Sequence, residues 1–414
     1  METRLALVIV VDGLRAAALG TYGNTISPTP QLDLLASRSL VCEWLIADEP
    51  GLAGFYRGVW NGSHVLQANS EAIADALPRK LQQAGVRSWL LTDDPGLAER
   101  GGTEGFAEVK QILTPPAQSA AELEQTHFAE FFSQAIDHII PWQKDVAEHA
   151  GMGMLWIHLQ GLCGPWDAPL AMRAAFVDEE DLAPPSFAEP PISGQRVEDP
   201  DLLWSFRTAY AAQLEILDTC LGAFLAEWEQ LAGCSNRLTT LIGSQGFSLG
   251  EHLVVGCDPE LLYGEQLQLP WFIATSGSLQ PPGRGQGFAI PADLGATLTD
   301  WFGVSAKAPP SLGRSVLPLF SESPIPERQL AITRSPSGEL SVRTSAWLLK
   351  LPPAGAPCQL FAKPDDRWEV NDIASRCPEI IEELTALTQA ALESGTAGNF
   401  SLEQDLGERL NAPH

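Results

Sequence analysis

The chain has 414 residues, 45% of them hydrophobic and 19% charged, with a formal net charge of −27. That composition suits a folded globular protein rather than a disordered one. With 25 Lys+Arg against 52 Asp+Glu, the surface repels nucleic acid and anionic membranes, so neither is an expected partner. The first pattern along the chain is the apolar run Leu5–Val11, which leads directly into Asp12-Gly13. It is too short to span a membrane and carries no basic leader or cleavage site, so it predicts a buried strand ending at a loop. Pro30–Ser37 predicts a helix with Thr29 as its N-cap. Helical patterns follow at Ser70–Ala84, Ser119–His149, Pro200–Ala232 and Pro291–Trp301, and strand-like runs at Ser88–Leu91, Gly153–His158, Leu238–Ile242 and Trp271–Ala274. The stretch Asp167–Pro200, rich in Pro and acidic residues, reads as a long surface excursion.

This alternation predicts an α/β fold: a mixed, mostly parallel sheet flanked by helices. Near residue 320 the pattern changes. Ser321–Pro326 reads as a linker, and the short runs Gln329–Ile332, Leu340–Arg343, Ala346–Leu351 and Gln359–Phe361 precede a helical pattern over Pro378–Leu392. The expected organisation is therefore an α/β domain over residues 1–320 and a small C-terminal antiparallel sheet with one helix over residues 327–414. Seven cysteines, at positions 42, 163, 220, 234, 257, 358 and 377, form no CxxC and no regular spacing. They read as free thiols in a reducing compartment, with a cytoplasmic location as the expectation.

Five blocks, in order, resemble the sulfatase family of the alkaline phosphatase-like superfamily. They are Val8–Arg15 with Thr29-Pro-Gln-Leu-Asp33; Ala53–Gly62; Leu155–His158 through Cys163-Gly-Pro165 to Pro169; Thr240–His252; and Ser311–Leu319. Arg367–Ala374 matches the segment before the family's last helix. The resemblance implies an alkaline phosphatase-like fold and a cleft built for sulfate-ester hydrolysis, with a divalent cation and a formylglycine nucleophile made from a Cys or Ser.

Placed on this sequence, that machinery is depleted. The nucleophile position, four residues before Arg57, is Ala53, whose methyl group can be neither oxidised to an aldehyde nor made to attack. Asp12 matches the first metal ligand, but Gly13, Ser244 and Gln245 fall where further ligands belong. One carboxylate among neutral oxygens holds calcium or magnesium weakly, so no dedicated cofactor is expected. The family His before Gly-Pro falls on Cys163, for which no Cys or His partner lies at motif spacing. The family Lys falls near Asp93, where Asp93 and Asp94 read as a solvated turn. Arg57 and His158 survive: the resemblance gives Arg57 the task of helping to hold the nucleophile's hydrated aldehyde, against a structural donor capping a loop, and His158 reads as a catalytic group or a satisfied core histidine. Glu251 and His252 match a segment that shapes the pocket wall. Tyr56 and Ser244 are hydroxyls near the old nucleophile, and Trp60, Trp156 and Trp166 read as packing. Removing further members of a catalytic set after the first costs little, so the pattern points to a pseudoenzyme that binds a small anionic ligand or a protein partner. The alternative is a cation-dependent hydrolase of sulfate or phosphate esters with a relocated nucleophile.

Overall fold

The computed structural model describes residues 3–67, 76–114, 116–149, 151–231, 236–276, 283–304, 312–321, 327–353, 356–397, 402 and 406–411. Residues 322–326 of the expected linker, the first part of the Ser70–Ala84 pattern, Ser311 and Cys234 lie outside the described residues.

Strands β1 (Arg4–Asp12), β2 (Leu40–Ile46), β3 (Arg87–Thr92), β4 (Glu108–Gln111) and β5 (Met152–Leu159) belong to one large sheet. So do β7 (Asn236–Gln245), β10 (Gln268–Leu269), β11 (Trp271–Thr275) and β12 (Arg284–Ala289). Its order is β10-β2-β11-β7-β1-β5-β3-β4, with β12 beside β2. All pairings are parallel except β10–β2, β11–β2 and β11–β7. Short strands β6 (Gln195–Arg196), β8 (Ser248–Leu249) and β9 (Val254–Gly256) form a separate small sheet.

β1 sits at the centre because every residue from Leu5 to Val11 is apolar. Leu5, Leu7, Ile9 and Val11 pack into the core on one face, and Ala6, Val8 and Val10 into the core on the other. A strand apolar on both sides must be covered by helices on both sides. The 22-residue helix His127–Glu148 and the 30-residue helix Pro200–Glu229 cover the first face, while Leu52–Asn61 and Pro291–Trp301 cover the second. Beyond them, β13 (Ala331–Arg334), β14 (Leu340–Arg343), β15 (Trp347–Leu351) and β16 (Gln359–Ala362) form an antiparallel sheet in sequence order. Its inner face packs on the helix Pro378–Ala397.

The expected strands and helices are present, with three corrections. The helix expected from Ser119 starts at His127, because Thr126 caps it by accepting from the Ala129 amide at 3.3 Å. Thr29 precedes the helix Pro30–Ser37 but does not cap it through its side chain. The carboxylate of Asp218, from the 30-residue helix, accepts from the Gln31 and Leu32 amides at 3.1 and 2.8 Å instead, so the cap comes from a tertiary contact. The excursion after Asp167 runs mostly over the surface and is exposed over residues 178–183, but it is pinned at Arg173. Arg173 is fully buried and donates to the carbonyls of Trp166, Ala168, Pro185 and Phe187.

Candidate functional site

In parallel α/β sheets the carboxyl ends of the strands present side chains to a common crevice. Here β1, β5 and β7 are adjacent, and their register pairs Val10 with His158 and Asp12 with Gln245. A register shift between Val11 and Asp12 accompanies the approach of Ser244 to Asp12. The Ser244 hydroxyl donates to Asp12 Oδ1, while Asp12 Oδ2 faces His158 Nε2 at 3.5 Å. The other ring nitrogen of His158 shares a 3.0 Å hydrogen bond with the Tyr56 hydroxyl, which also accepts from Trp156 Nε1 at 3.3 Å. Burial pushes the His158 imidazole down, but the Asp12 carboxylate outweighs it and holds the group above its ordinary value. Burial pushes the Tyr56 phenol well up. Tyr56 is 1% exposed and His158 0%, so this chain of polar groups is sealed beneath the cleft. Trp60, Trp156 and Trp166 are buried, as expected of packing residues.

Gly13 has φ +69°, and a Cβ there would lie 2.9 Å from Cys163 Sγ. The position cannot carry a second carboxylate without moving the Cys163 loop. Ala53 lies exposed in the first turn of the helix Leu52–Asn61 and offers no reactive atom. Arg57, one turn further on, pairs through its two terminal nitrogens with Asp48 and Glu49, while its Nε is buried without a hydrogen-bond partner. Asp48 also accepts from the Val65 amide at 2.7 Å. A guanidinium neutralised by two carboxylates has little charge left for a further anion. Both partners were visible in the run Asp48–Arg57, eight and nine residues upstream, but nothing in the spacing says that the chain turns back on itself there.

Cys163 is where tertiary structure adds most to the sequence reading. Its sulfur lies 3.1 Å from that of Cys257, a residue 94 positions away that follows β9. The Gln245 side-chain amide donates to it at 3.5 Å, so Gln245 turns to sulfur rather than to a cation. The hydrogen bond with Cys257 and burial push the Cys163 thiol well above its ordinary range. It is therefore a mostly protonated thiol at neutral pH, a slow nucleophile and a poor metal ligand. The two thiols sit close enough to join with little movement. Treatment with diamide, which accepts two electrons and two protons, should convert the pair to a disulfide. The checks are a Cys163–Cys257 linked peptide in the digest and a fall of two in titratable thiols, both absent in Cys257→Ser. Recovery of only unlinked peptides would count against it.

Asp93 does not form the expected solvated turn. It is 6% exposed at the end of β3, accepts from the Gln160 amide at 2.8 Å and lies 2.5 Å from His127 Nε2. Burial pushes its carboxyl up to about 7 and pushes the His127 imidazole down. Asp94 does sit at a turn, accepting from the Gly96 amide. Glu251 pairs with Arg15 at 2.5 Å and lines an open cavity of about 560 Å³. His252 is committed elsewhere: it bonds Glu265 at 2.7 Å and stacks on Tyr263 at 3.6 Å.

The oxygen donors beside Asp12 are thus one carboxylate, already hydrogen-bonded, the Ser244 hydroxyl and a Gln245 side chain engaged with sulfur. A hard divalent cation takes about six oxygens or more, with carboxylates supplying the charge. This set does not fit one. Among the described residues no cluster of three or more His, Cys, Asp or Glu side chains is placed to share a metal ion, and no helix among them is long and apolar enough to cross a membrane.

Comparison with known proteins agrees with the architecture. The sulfatase family model matches residues 4–304. The structure of BT4656 in complex with its substrate D-glucosamine-2-N,6-O-disulfate superposes with a TM-score of 0.76 at 15% identity, covering 98% of this chain and 100% of that one. BT1596, a 2-O GAG sulfatase, gives 0.73 at 16% identity over 99% and 96%. The phosphonate monoester hydrolase of Agrobacterium radiobacter gives 0.71 at 14% identity over 95% and 96%. These likenesses establish the fold. No curated protein matches the chain in sequence.

Proposed function

The chain belongs to the sulfatase family, and we propose that it is a member that has lost sulfuric-ester hydrolysis and serves as a binding protein for a small anion or a protein partner. The observation that carries this reading is the Ser244 hydroxyl bonded to Asp12, where a cation-binding site would need a second negative oxygen. Three further features support it. Ala53 has no reactive atom, Arg57 is neutralised by Asp48 and Glu49, and Cys163 is a buried neutral thiol. Each function that the family assigns to the cleft (nucleophile, cation, oxyanion donor) falls on a residue unable to perform it or already occupied. The sequence Tyr56–His158–Asp12 has the order of nucleophile, base and orienting acid. It favours the alternative of a relocated nucleophile only if substrate can reach Tyr56, and burial opposes that.

The test is hydrolysis of p-nitrophenyl sulfate and p-nitrophenyl phosphate by purified protein, together with elemental analysis for divalent metals. The expected results are turnover at the buffer rate and a cation content far below one per chain. Turnover above buffer that disappears in Asp12→Ala, or a stoichiometric cation lost in the same variant, would overturn the proposal.

A further inference from the structure

We infer that the cavity between the large sheet and the C-terminal sheet is a binding site for a small oxyanion, held by Arg343. The cavity has a volume of about 290 Å³ and is walled by Arg15, Trp44, Arg343, Lys363 and Arg367, among others. It lies apart from the depleted cleft: none of Asp12, Ala53, Arg57, His158, Cys163 or Ser244 lines it.

Arg343, at the end of β14, is 6% exposed. Its Nη1 is buried without a hydrogen-bond partner, and among the described residues no carboxylate comes within ion-pair distance of it. The guanidinium lies over the Trp44 ring at 5.0 Å, a contact that offsets part of the cost of burial. Other buried cations of this chain are treated differently. Arg15 pairs with Glu251, Arg57 with Asp48 and Glu49, Arg328 with Asp293 and Lys363 with Glu369. Arg173, which lacks a carboxylate, is satisfied by four carbonyls. In a chain with about twice as many acids as bases, a carboxylate for Arg343 would be easy to supply. Glu369 acts on Arg343 only at longer range, and a buried charge without a close partner is costly for a fold to carry. Here it falls on the wall of a cavity, which is where a partner from outside the chain could meet it.

The rest of the lining fits an anion. Its cations outnumber its carboxylates by one, against the sign of the molecule as a whole. Glu43 pairs with Arg284, Glu369 with Lys363, Glu265 with His252 through Oε1 and Arg15 with Glu251, while Glu265 Oε2 is buried without a hydrogen-bond partner; among the described residues, Arg343 and Arg367 are the lining cations left without a carboxylate. Burial also pushes the Arg343 guanidinium down to about 10, still charged at neutral pH. A planar guanidinium fork matches a carboxylate or phosphate in two hydrogen bonds. The aromatic wall of Trp44, with Trp368 also in the lining, suits an organic body attached to that group. The volume lies at the small end of ligand pockets, which selects a small metabolite rather than a polymer.

This inference deepens the binding half of the proposed function and is independent of the loss of hydrolysis. The experiment is thermal melting of the full chain with malate, benzoate or inorganic phosphate, each compared with sodium chloride at equal ionic strength. At least one probe should raise Tm by about 2 °C or more at a concentration well above its Kd, and which probe acts separates organic from inorganic sources of the group. Arg343→Gln should weaken the response at least tenfold in concentration, while Arg196→Gln, the same charge change at an exposed position, should leave it intact. Arg343→Met should abolish the response yet melt no lower than the wild type without probe, since it removes a buried charge without a close partner. Absence of a response to all three probes in the wild type, an unchanged response in Arg343→Gln, or a marked drop in the Tm of Arg343→Met without probe would each overturn the inference. Hydrolysis by a protein that still responds through Arg343 would refute the loss of sulfuric-ester hydrolysis and leave the anion site standing.

Discussion

Asp93→Asn is expected to become progressively more stable than the wild type as pH rises from 4 to 8, by roughly 4 kcal/mol across that window. Asp93 accepts from the Gln160 amide and lies 2.5 Å from His127 Nε2 in a buried setting. Burial raises its folded pKa to about 7, whereas an unfolded aspartate titrates near 3.9. Between those values the folded state binds the extra proton. The associated stability is fully present below the unfolded pKa and is lost as pH rises through 7. An asparagine reproduces the protonated acid, with its oxygen kept for the Gln160 amide and its NH₂ turned to His127, and it does not titrate. Urea unfolding of both proteins at each pH checks this. Parallel stability curves would show that Asp93 is ionised throughout and that His127 carries a compensating charge. The site matters for function because the family resemblance places a lysine near Asp93. An acid that shares its proton with a histidine adds no positive charge to the cleft.

Ser244→Asp should destabilise the protein by roughly 3–5 kcal/mol at pH 8, the scale of an uncompensated buried charge. Ser244 and Asp12 are both buried, and the hydroxyl touches Asp12 Oδ1. A carboxylate in its place would face another at hydrogen-bond range, and two such groups cannot both ionise. The folded pair would keep a proton above the pKa of either acid in the unfolded chain. The variant should therefore be near wild-type stability around pH 4 and lose ground as pH rises. Millimolar calcium should recover part of the loss by neutralising the pair, and should leave the wild-type Tm unchanged. A wild-type Tm that rises with calcium would mean that the cleft already holds a cation, and the proposed loss of hydrolytic chemistry would lose its main support.

The fold was legible in the sequence because the patterns that carry it are local. The apolar run Leu5–Val11 can only be a strand covered on both faces, and the helices Pro30–Ser37 and Pro291–Trp301 occupy the spans that their Pro starts and periodicity predict. The edge elements were less legible. β2 escaped the reading although it is largely buried, since Glu43 interrupts its apolar pattern. β12 carries two glycines and no run of alternating apolar residues, and its parallel pairing with β2 makes it a strand. Thr29 has the right residue type for a cap, but a carboxylate from a distant helix occupies the cap site.

What the sequence determined by itself is the identity of atoms: a methyl at Ala53, a hydroxyl at Ser244 and a thiol at Cys163, which suffices to say that the family's chemistry lacks its parts. What only the tertiary structure decided is how the surviving charges are spent. Arg57 is held by two acids, Asp93 by a histidine, and Cys163 lies against a sulfur 94 residues away, while Arg343 is left unpaired at a cavity wall. The physical reason is that reactivity and charge depend on what lies within a few ångströms through space. In these pairs the neighbour comes from a loop, a strand end or the first turn of a helix, whose position in space no local pattern records.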